Sequence, residues 1–235
     1  MSLPIVILPG YLAAAAEYEA LQQDLQRAGY AAWIVPLQIR SWLPTLGGRP
    51  VSPILQSLAE TIRQVQSLTG SEQVNLIGHS AGGWIARIYL GQVPYHGRVW
   101  SGKDQVATLV TLGTPHISQE RWTLSNLNFV NQNYPGAYWP QIKYVCVAGK
   151  ATEGKPLRWQ DLRDGGFWSQ WLAYSSYRLT VGSGTTWGDG ITPVSAAHLE
   201  GAINLTVTET YHSPRGQRRW YGSPDVLSDW IPFLQ

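Results

Sequence analysis

The chain is poor in the residues that staple small folds or build metal cages: Cys146 is its single cysteine, which excludes an internal disulfide and any multi-cysteine metal site. Charge is also scarce. Asp, Glu, Lys and Arg supply 14% of 235 residues and leave a net charge of +2, thinly spread except for Arg215, Arg218 and Arg219. A nucleic-acid binder needs a concentrated basic face, so no DNA or RNA partner is expected. No apolar run reaches the ~18 residues of a membrane span. Leu3 to Leu8 and Leu12 to Ala16 are apolar, but no Lys or Arg precedes Arg27, so the basic region of a signal peptide is missing. These absences predict a soluble, cytoplasmic protein, peripheral to membranes at most. With no H-E-x-x-H, EF-hand loop or glycine-rich nucleotide fingerprint, neither a metal nor an organic cofactor is expected. Hydrophobic residues, in contrast, make up 44% of the chain, enough for a large core in a single domain spanning 1–235. Twelve Trp and twelve Tyr stand against three Phe. Rings with an apolar body and a polar tip suit interfaces and lined pockets as well as core.

Two hydrophobic periods alternate along the first half. Leu3 to Leu8 is a short apolar run closed by Pro9-Gly10, the pattern of a strand buried on both faces. Ala14, Tyr18, Leu21, Leu25 and Ala28 then form one helical stripe that Gly29 ends. Strands are expected at Ala31 to Val35, Val74 to Ile77, Val106 to Leu112, Ile142 to Ala148 and Asn204 to Thr208. Helices are expected from Ser52-Pro53 to Gly70, with Ser52 as cap, from Ala81 to Leu90, and after Ser223-Pro224. Strands alternating with amphipathic helices predict an α/β fold with a mostly parallel sheet and helices on both faces. Residues 114–140 and 150–186 break the rhythm and read as irregular, aromatic-rich insertions that form a lid or substrate-binding cap. The second holds Trp159 and the cluster Phe167, Trp168, Trp171, Tyr174 and Tyr177; Phe167, Trp171 and Tyr174 fall at helical spacing.

The strongest chemical signal is Gly78-His79-Ser80-Ala81-Gly82-Gly83, a G-x-S-x-G placed between an apolar strand and a helix. A serine on such a turn exposes its Oγ at the carboxyl edge of the sheet, and the flanking glycines relieve crowding there. The hydroxyl needs a base, and the base needs a carboxylate to fix its tautomer. Chain order in this fold is Ser, acid, His. His79 lies within the turn, and His96 and His116 precede any plausible acid. His212 follows the last strand, where a base should stand; His198 falls in a short helix begun by Thr192-Pro193 and reads as a surface or packing residue. For the acid, Asp189 in Trp187-Gly188-Asp189-Gly190 is favoured because flanking glycines permit a tight turn. Glu153, just after the fifth strand, is the alternative, and Asp161 and Asp164 also compete. Developing negative charge on a substrate would need main-chain donors, for which Ala81 after the serine and Tyr11 in the Pro9-Gly10 turn are the candidates. The aromatic cluster offers Phe167, Trp168 and Trp171 as substrate-binding residues, reaching an acyl pocket or a membrane interface.

Leu8-Pro9-Gly10-Tyr11, the serine turn, Leu112-Gly113-Thr114-Pro115-His116, Gly188-Asp189-Gly190-Ile191-Thr192-Pro193 and Tyr211-His212-Ser213 together resemble the α/β-hydrolase superfamily, in particular lipase-like, PGAP1-like serine hydrolases of cyanobacterial and chloroplast type. The resemblance implies an ester hydrolase, lipase or esterase, with Ser80, Asp189 and His212 as its triad and an ester or lipid as its substrate. Pro9 is a departure, since many such lipases carry a histidine before the oxyanion glycine. A thioesterase or acyltransferase would use the same residues. A scaffold reused for binding would show a broken triad.

Overall fold

The computed structural model describes residues 2–157, 166–215 and 218–235; Trp159, Asp161 and Asp164 lie outside them. Short apolar runs become strands and amphipathic runs become helices, in the order β1 (Ile5–Leu8), α1 (Glu19–Arg27), β2 (Ala32–Ile34), α2 (Ser52–Thr69), β3 (Val74–His79), α3 (Ala81–Tyr89), β4 (Val106–Leu112), α4 (Arg121–Asn133), β5 (Lys143–Lys150), β6 (Thr152–Glu153), α5 (Phe167–Val181), β7 (Trp187–Gly188), α6 (Val194–Ala197), β8 (Ile203–Thr208) and α7 (Pro224–Trp230). Six strands form one sheet in the order β2-β1-β3-β4-β5-β8, and every pairing in it is parallel. This is the parallel α/β architecture, with helices on both faces of the sheet, expected from the alternating periods.

Alternation along the strands divides the core in two. Val6, Leu8, Leu76, Tyr144 and Cys146 face one layer, against α2, α3 and α4. Ile5, Ile7, Ile77, Val145 and Val147 face the other, against α1 and α7. Both faces of β1, β3, β4 and β5 are buried, which is why their sequences are mostly apolar, interrupted by Asn75 and His79 in β3 and by Thr108 and Thr111 in β4. The chain leaves β1 to one side to form β2 and crosses back to form β3. The connections that leave the carboxyl ends of β1 and β3 therefore run in opposite directions, at the point where open α/β sheets form their binding crevice.

Three sequence expectations change. Ser52 is the first helical residue of α2, with Val51 at the cap position and Pro53 in the first turn. Pro193 caps α6, so Thr192 lies outside that helix. The two stretches read as irregular each hold a helix. In α4 only Asn126, Leu127 and Val130 are buried, so its apolar stripe is thin and interrupted by asparagines. In α5 apolar residues lie on every side, which hides the period. Among the described residues no helix is long and apolar enough to cross a membrane.

Asn75 is a buried polar residue near the start of β3, and it binds main-chain groups of both Leu3 and Gln235. Its amide donates to the carbonyls of Leu3 (3.2 Å) and Gln235 (2.8 Å) and accepts the Gln235 N–H (3.2 Å). Asn75→Ala should therefore lower the unfolding free energy by about 1–3 kcal/mol, the cost of leaving main-chain groups unpaired. Urea denaturation checks this, and a change below about 0.5 kcal/mol would show that water replaces all three bonds.

Candidate active site

Ser80 sits between β3 and α3 at φ 52°, ψ −124°, a left-handed conformation that is costly for a residue with a Cβ. Its surroundings hold it there. The Ser80 N–H donates to the Leu112 carbonyl (2.8 Å), and its own carbonyl accepts the Gly83 N–H (3.1 Å) and the Thr114 hydroxyl (2.8 Å). Room for the turn comes from glycine: a Cβ on Gly82 would stand 2.5 Å from the Leu8 carbonyl oxygen, and one on Gly78 would stand 2.6 Å from the Gly83 backbone. The sharp turn lifts the Ser80 side chain out of the sheet edge.

The structure brings three of the expected residues together. His212, in the loop after β8, places Nε2 3.0 Å from Ser80 Oγ and Nδ1 2.7 Å from Asp189 Oδ2. Asp189 is 1% exposed. Its Oδ2 also accepts the Tyr221 hydroxyl (2.6 Å), while Oδ1 accepts the N–H groups of Ile191 (2.9 Å) and Thr192 (2.6 Å). Burial acts to raise the carboxyl pKa, but neighbouring His212 and the hydrogen bonds from His212, Tyr221 and Thr192 outweigh it and hold the group below its ordinary value. An ionised carboxylate only accepts, so His212 carries its proton on Nδ1 and turns the Nε2 lone pair toward Ser80. That arrangement can take a proton from the serine hydroxyl.

Asp189 reaches this place through a detour. β6 and β7 pair antiparallel, Thr152 with Gly188 and Glu153 with Trp187, so the chain leaves at the end of β5, builds α5 and returns to the same point. The position after the fifth strand is thus occupied by Asp189, although it lies far along the sequence. Glu153 stays within the small hairpin and makes no hydrogen bond or ion pair to His212 among the described residues. Gly113, at φ 57°, leaves space for the carboxylate: a Cβ there would stand 2.7 Å from Asp189 Oδ2.

Tyr11 and Ala81 border one cavity with Ser80. The Tyr11 N–H has no acceptor among the described residues, and Ala81, as the first residue of α3, has none within its helix. Phe167, Trp168 and Trp171 line none of the three cavities that meet Ser80 or His212; α5 instead contributes Ser169, Leu172, Ser176 and Thr180. Phe167 is 2% exposed and closed off by packing, whereas Trp168 is 60% exposed. The loops after β1 and β8 are tied by Arg215, which pairs with Glu17 (Nε to Oε2, 2.7 Å) and donates to the Leu12 carbonyl (2.9 Å).

Two further residues, Tyr18 and His79, hold the main chain of His212. The Gly10 N–H donates to the Tyr18 hydroxyl (2.9 Å), which leaves the Tyr18 proton for His79 Nδ1 (2.7 Å), so His79 Nε2–H donates to the His212 carbonyl (2.9 Å). Burial, followed by the proximity of His212, pushes the His79 pKa down to about 3, so it is a neutral strut. His116 is also neutral: burial, with the Arg87 guanidinium beside it, holds its pKa well below the ordinary value. His198 hydrogen-bonds Thr206 Oγ1 (3.1 Å), and His96 lies in an exposed turn at φ 47°. His79 and His116 make stability depend on pH. Both bind protons in the unfolded chain near pH 6.5 and reject them in the fold, so stability is complete above that pH and falls as pH drops. Between pH 6 and 5, before carboxylates titrate, they should together remove about 2 kcal/mol. Urea midpoints across that range measure the slope, which His116→Asn should halve.

A model of the alpha/beta hydrolase fold matches residues 4–138. Triacylglycerol lipases from Pseudarthrobacter phenanthrenivorans and Burkholderia plantarii are each 32% identical over 100 residues, which is 43% of this chain and 27% and 24% of theirs. The chain thus spans about a quarter of the length of these curated relatives. Among solved structures, a CIB-like hydrolase from Thermoplasma acidophilum is similar at a TM-score of 0.46 and 14% identity, covering 98% of this chain and 87% of its own. Aspergillus fumigatus lipase B is similar at 0.43 and 15%, covering 62% and 37%. With more than half of its length matched by the family model, the chain belongs to the alpha/beta hydrolase fold family.

Proposed function

We propose that the protein is a serine carboxylic-ester hydrolase, a lipase or esterase acting on acyl lipids or other apolar esters. The observation that carries this reading is the unbroken hydrogen-bond chain from buried Asp189 through His212 to a serine held on a strained turn at a cavity. Ser80 Oγ attacks the acyl carbon as its proton passes to His212 Nε2. The resulting oxyanion takes the N–H groups of Tyr11 and Ala81, and Asp189 stabilises the imidazolium. The C–O bond of the ester then breaks, His212 protonates the departing alcohol, and the acyl group remains on Ser80. Water, deprotonated by the same histidine, releases the acid and restores the serine. The family match and the similarity to proteins named triacylglycerol lipases support ester chemistry, and we read the motifs as those of a lipase-like hydrolase of cyanobacterial and chloroplast type. We take residues 1–235 as one domain in which α4 and α5 cap the site.

A fluorophosphonate should label Ser80 alone, and intact folded protein that fails to label would favour a binding scaffold. Ser80→Ala and His212→Ala should each lower kcat by ~10⁴- to 10⁶-fold, with the double variant little worse because the groups act as a unit. Asp189→Asn should cost ~10³- to 10⁴-fold, and Glu153→Gln under about threefold. Steady-state kinetics on a soluble p-nitrophenyl ester decide this, and a severe Glu153 effect beside a mild Asp189 effect would reassign the acid.

The exposed stripe of α5, Trp168 (60%) and Leu172 (58%) with Leu179, runs beside the His212 cavity and suits contact with a lipid surface. Trp168→Ser with Leu172→Ser should cut hydrolysis of vesicle-borne ester about tenfold or more while sparing the same acyl group on a soluble alcohol. A common loss on both substrates would mean that these side chains serve packing.

A further inference from the structure

Three cavities converge on the candidate site, and they differ in which catalytic groups they touch. The most enclosed, of about 160 Å³, is bordered by Ser80 with Tyr11 and Ala81 but not by His212. The other two, of about 290 and 110 Å³, are both bordered by His212, and the smaller of them also by Ser80 and Tyr11. On the proposed reading, the leaving oxygen must take its proton from His212, so the alcohol departs on the His212 side. An acyl carbon on Ser80, with its oxygen toward Tyr11 and Ala81, then directs its substituent into the most enclosed cavity, whose mouth is bordered by exposed Trp122 and Ile191.

That cavity is small. A cavity of roughly 150 Å³ holds a benzene-sized ligand, whereas sites for larger molecules run to about 300–1,000 Å³. Its inner wall includes four buried residues from separate segments: Thr45, Val51, Trp84 and Asn126. Val51 and Trp84 belong to the main hydrophobic cluster, and Asn126 is held by hydrogen bonds with the Tyr95 hydroxyl and the Arg49 carbonyl. Such a wall is close-packed and does not yield to a longer chain without disturbing the core. We propose that the enclosed cavity is the acyl site and that it selects compact acyl groups, aliphatic or aromatic, of about six non-hydrogen atoms, excluding long fatty-acyl chains. The inference rests on Ser80 being the nucleophile.

The test uses p-nitrophenyl alkylphosphonates, methyl to dodecyl, whose phosphorus-bound alkyl group occupies the acyl position when Ser80 is modified. Rates of labelling of the intact protein, followed by mass spectrometry, should rise about fourfold per carbon while the cavity fills. They should peak near pentyl to hexyl and fall at least tenfold by decyl. Trp84→Leu should move the peak to longer chains, and Thr123→Leu, which adds bulk to the lining, to shorter ones. Thermal melts report whether each variant folds, and the parent series stands alone if one does not. Rates that climb through dodecyl would overturn the size limit while leaving Ser80 as nucleophile. A peak unmoved in both folded variants would overturn the assignment of this cavity. Absence of labelling at every length would overturn the hydrolase reading and the acyl site with it.

Discussion

The burial of one carboxylate organises the site end of the molecule. Asp189 has almost no surface, and an ionised carboxylate in that position is tolerable only when its oxygens are fully supplied with donors. Those donors come from separate segments: the Ile191 and Thr192 N–H groups from the turn after β7, the Tyr221 hydroxyl from the segment before α7, and His212 from the loop after β8. The β6–β7 hairpin, the placement of α7 and the path of the last loop are thereby coupled. The Tyr221 hydroxyl also accepts the Gly149 N–H (2.8 Å) at the end of β5, extending the network into the sheet.

Strain at Ser80 is the counterpart of this network. Close approach of the serine turn to β1 needs Gly82, and its approach to the start of α3 needs Gly78. Both faces of the turn are then fastened, through Leu112 on one side and Thr114 on the other, to the end of β4 and the loop that follows it. The geometry of Ser80 is set by the sheet order that makes β4 the neighbour of β3, so a local turn acquires its shape from parallel pairing across the sheet.

Apolar runs made the central strands legible: β4 has the bounds read from Val106 to Leu112, because apolar residues stand at both of its ends and its two threonines, Thr108 and Thr111, lie inside them. Gly70 and Gly29, both in the left-handed region, marked helix ends for the same local reason. Helix α5 was obscured because its apolar residues surround the axis, and α4 because asparagines occupy its inward side. At the site, Ser80 announced itself through neighbouring glycines, whereas Tyr18 and Tyr221 are ordinary tyrosines whose meaning depends on partners 61 and 32 residues away. No local pattern encodes such a pairing. The preference between Asp189 and Glu153 turned on a tight glycine-flanked turn, and the topological reason for it, a hairpin returning the chain to β5, is visible only in three dimensions. Aromatic abundance in the second insertion signalled an interface without indicating which rings face it, and the α5 residues that border the cavities include two serines and a threonine.

The neutral state of His79 links these constraints to the proposed reaction. Its ring centre lies 4.9 Å from that of His212, close enough for a charge on one to oppose a charge on the other. Were His79 a cation, the imidazolium that must form at His212 would be penalised at the step it is meant to assist. Burial removes that difficulty by making protonation of His79 unfavourable, and the Tyr18 proton fixes the tautomer that presents Nε2–H to the His212 carbonyl. Tyr18 is itself fixed by the Gly10 N–H, in the same turn that carries Tyr11. One line of hydrogen bonds therefore runs from the Gly10-Tyr11 turn, through His79 beside Ser80, to the main chain of His212. His212 is held by its carbonyl on one side and by Asp189 on the other, which restrains its ring and leaves Nε2 facing Ser80 Oγ, as the proposed proton exchange requires.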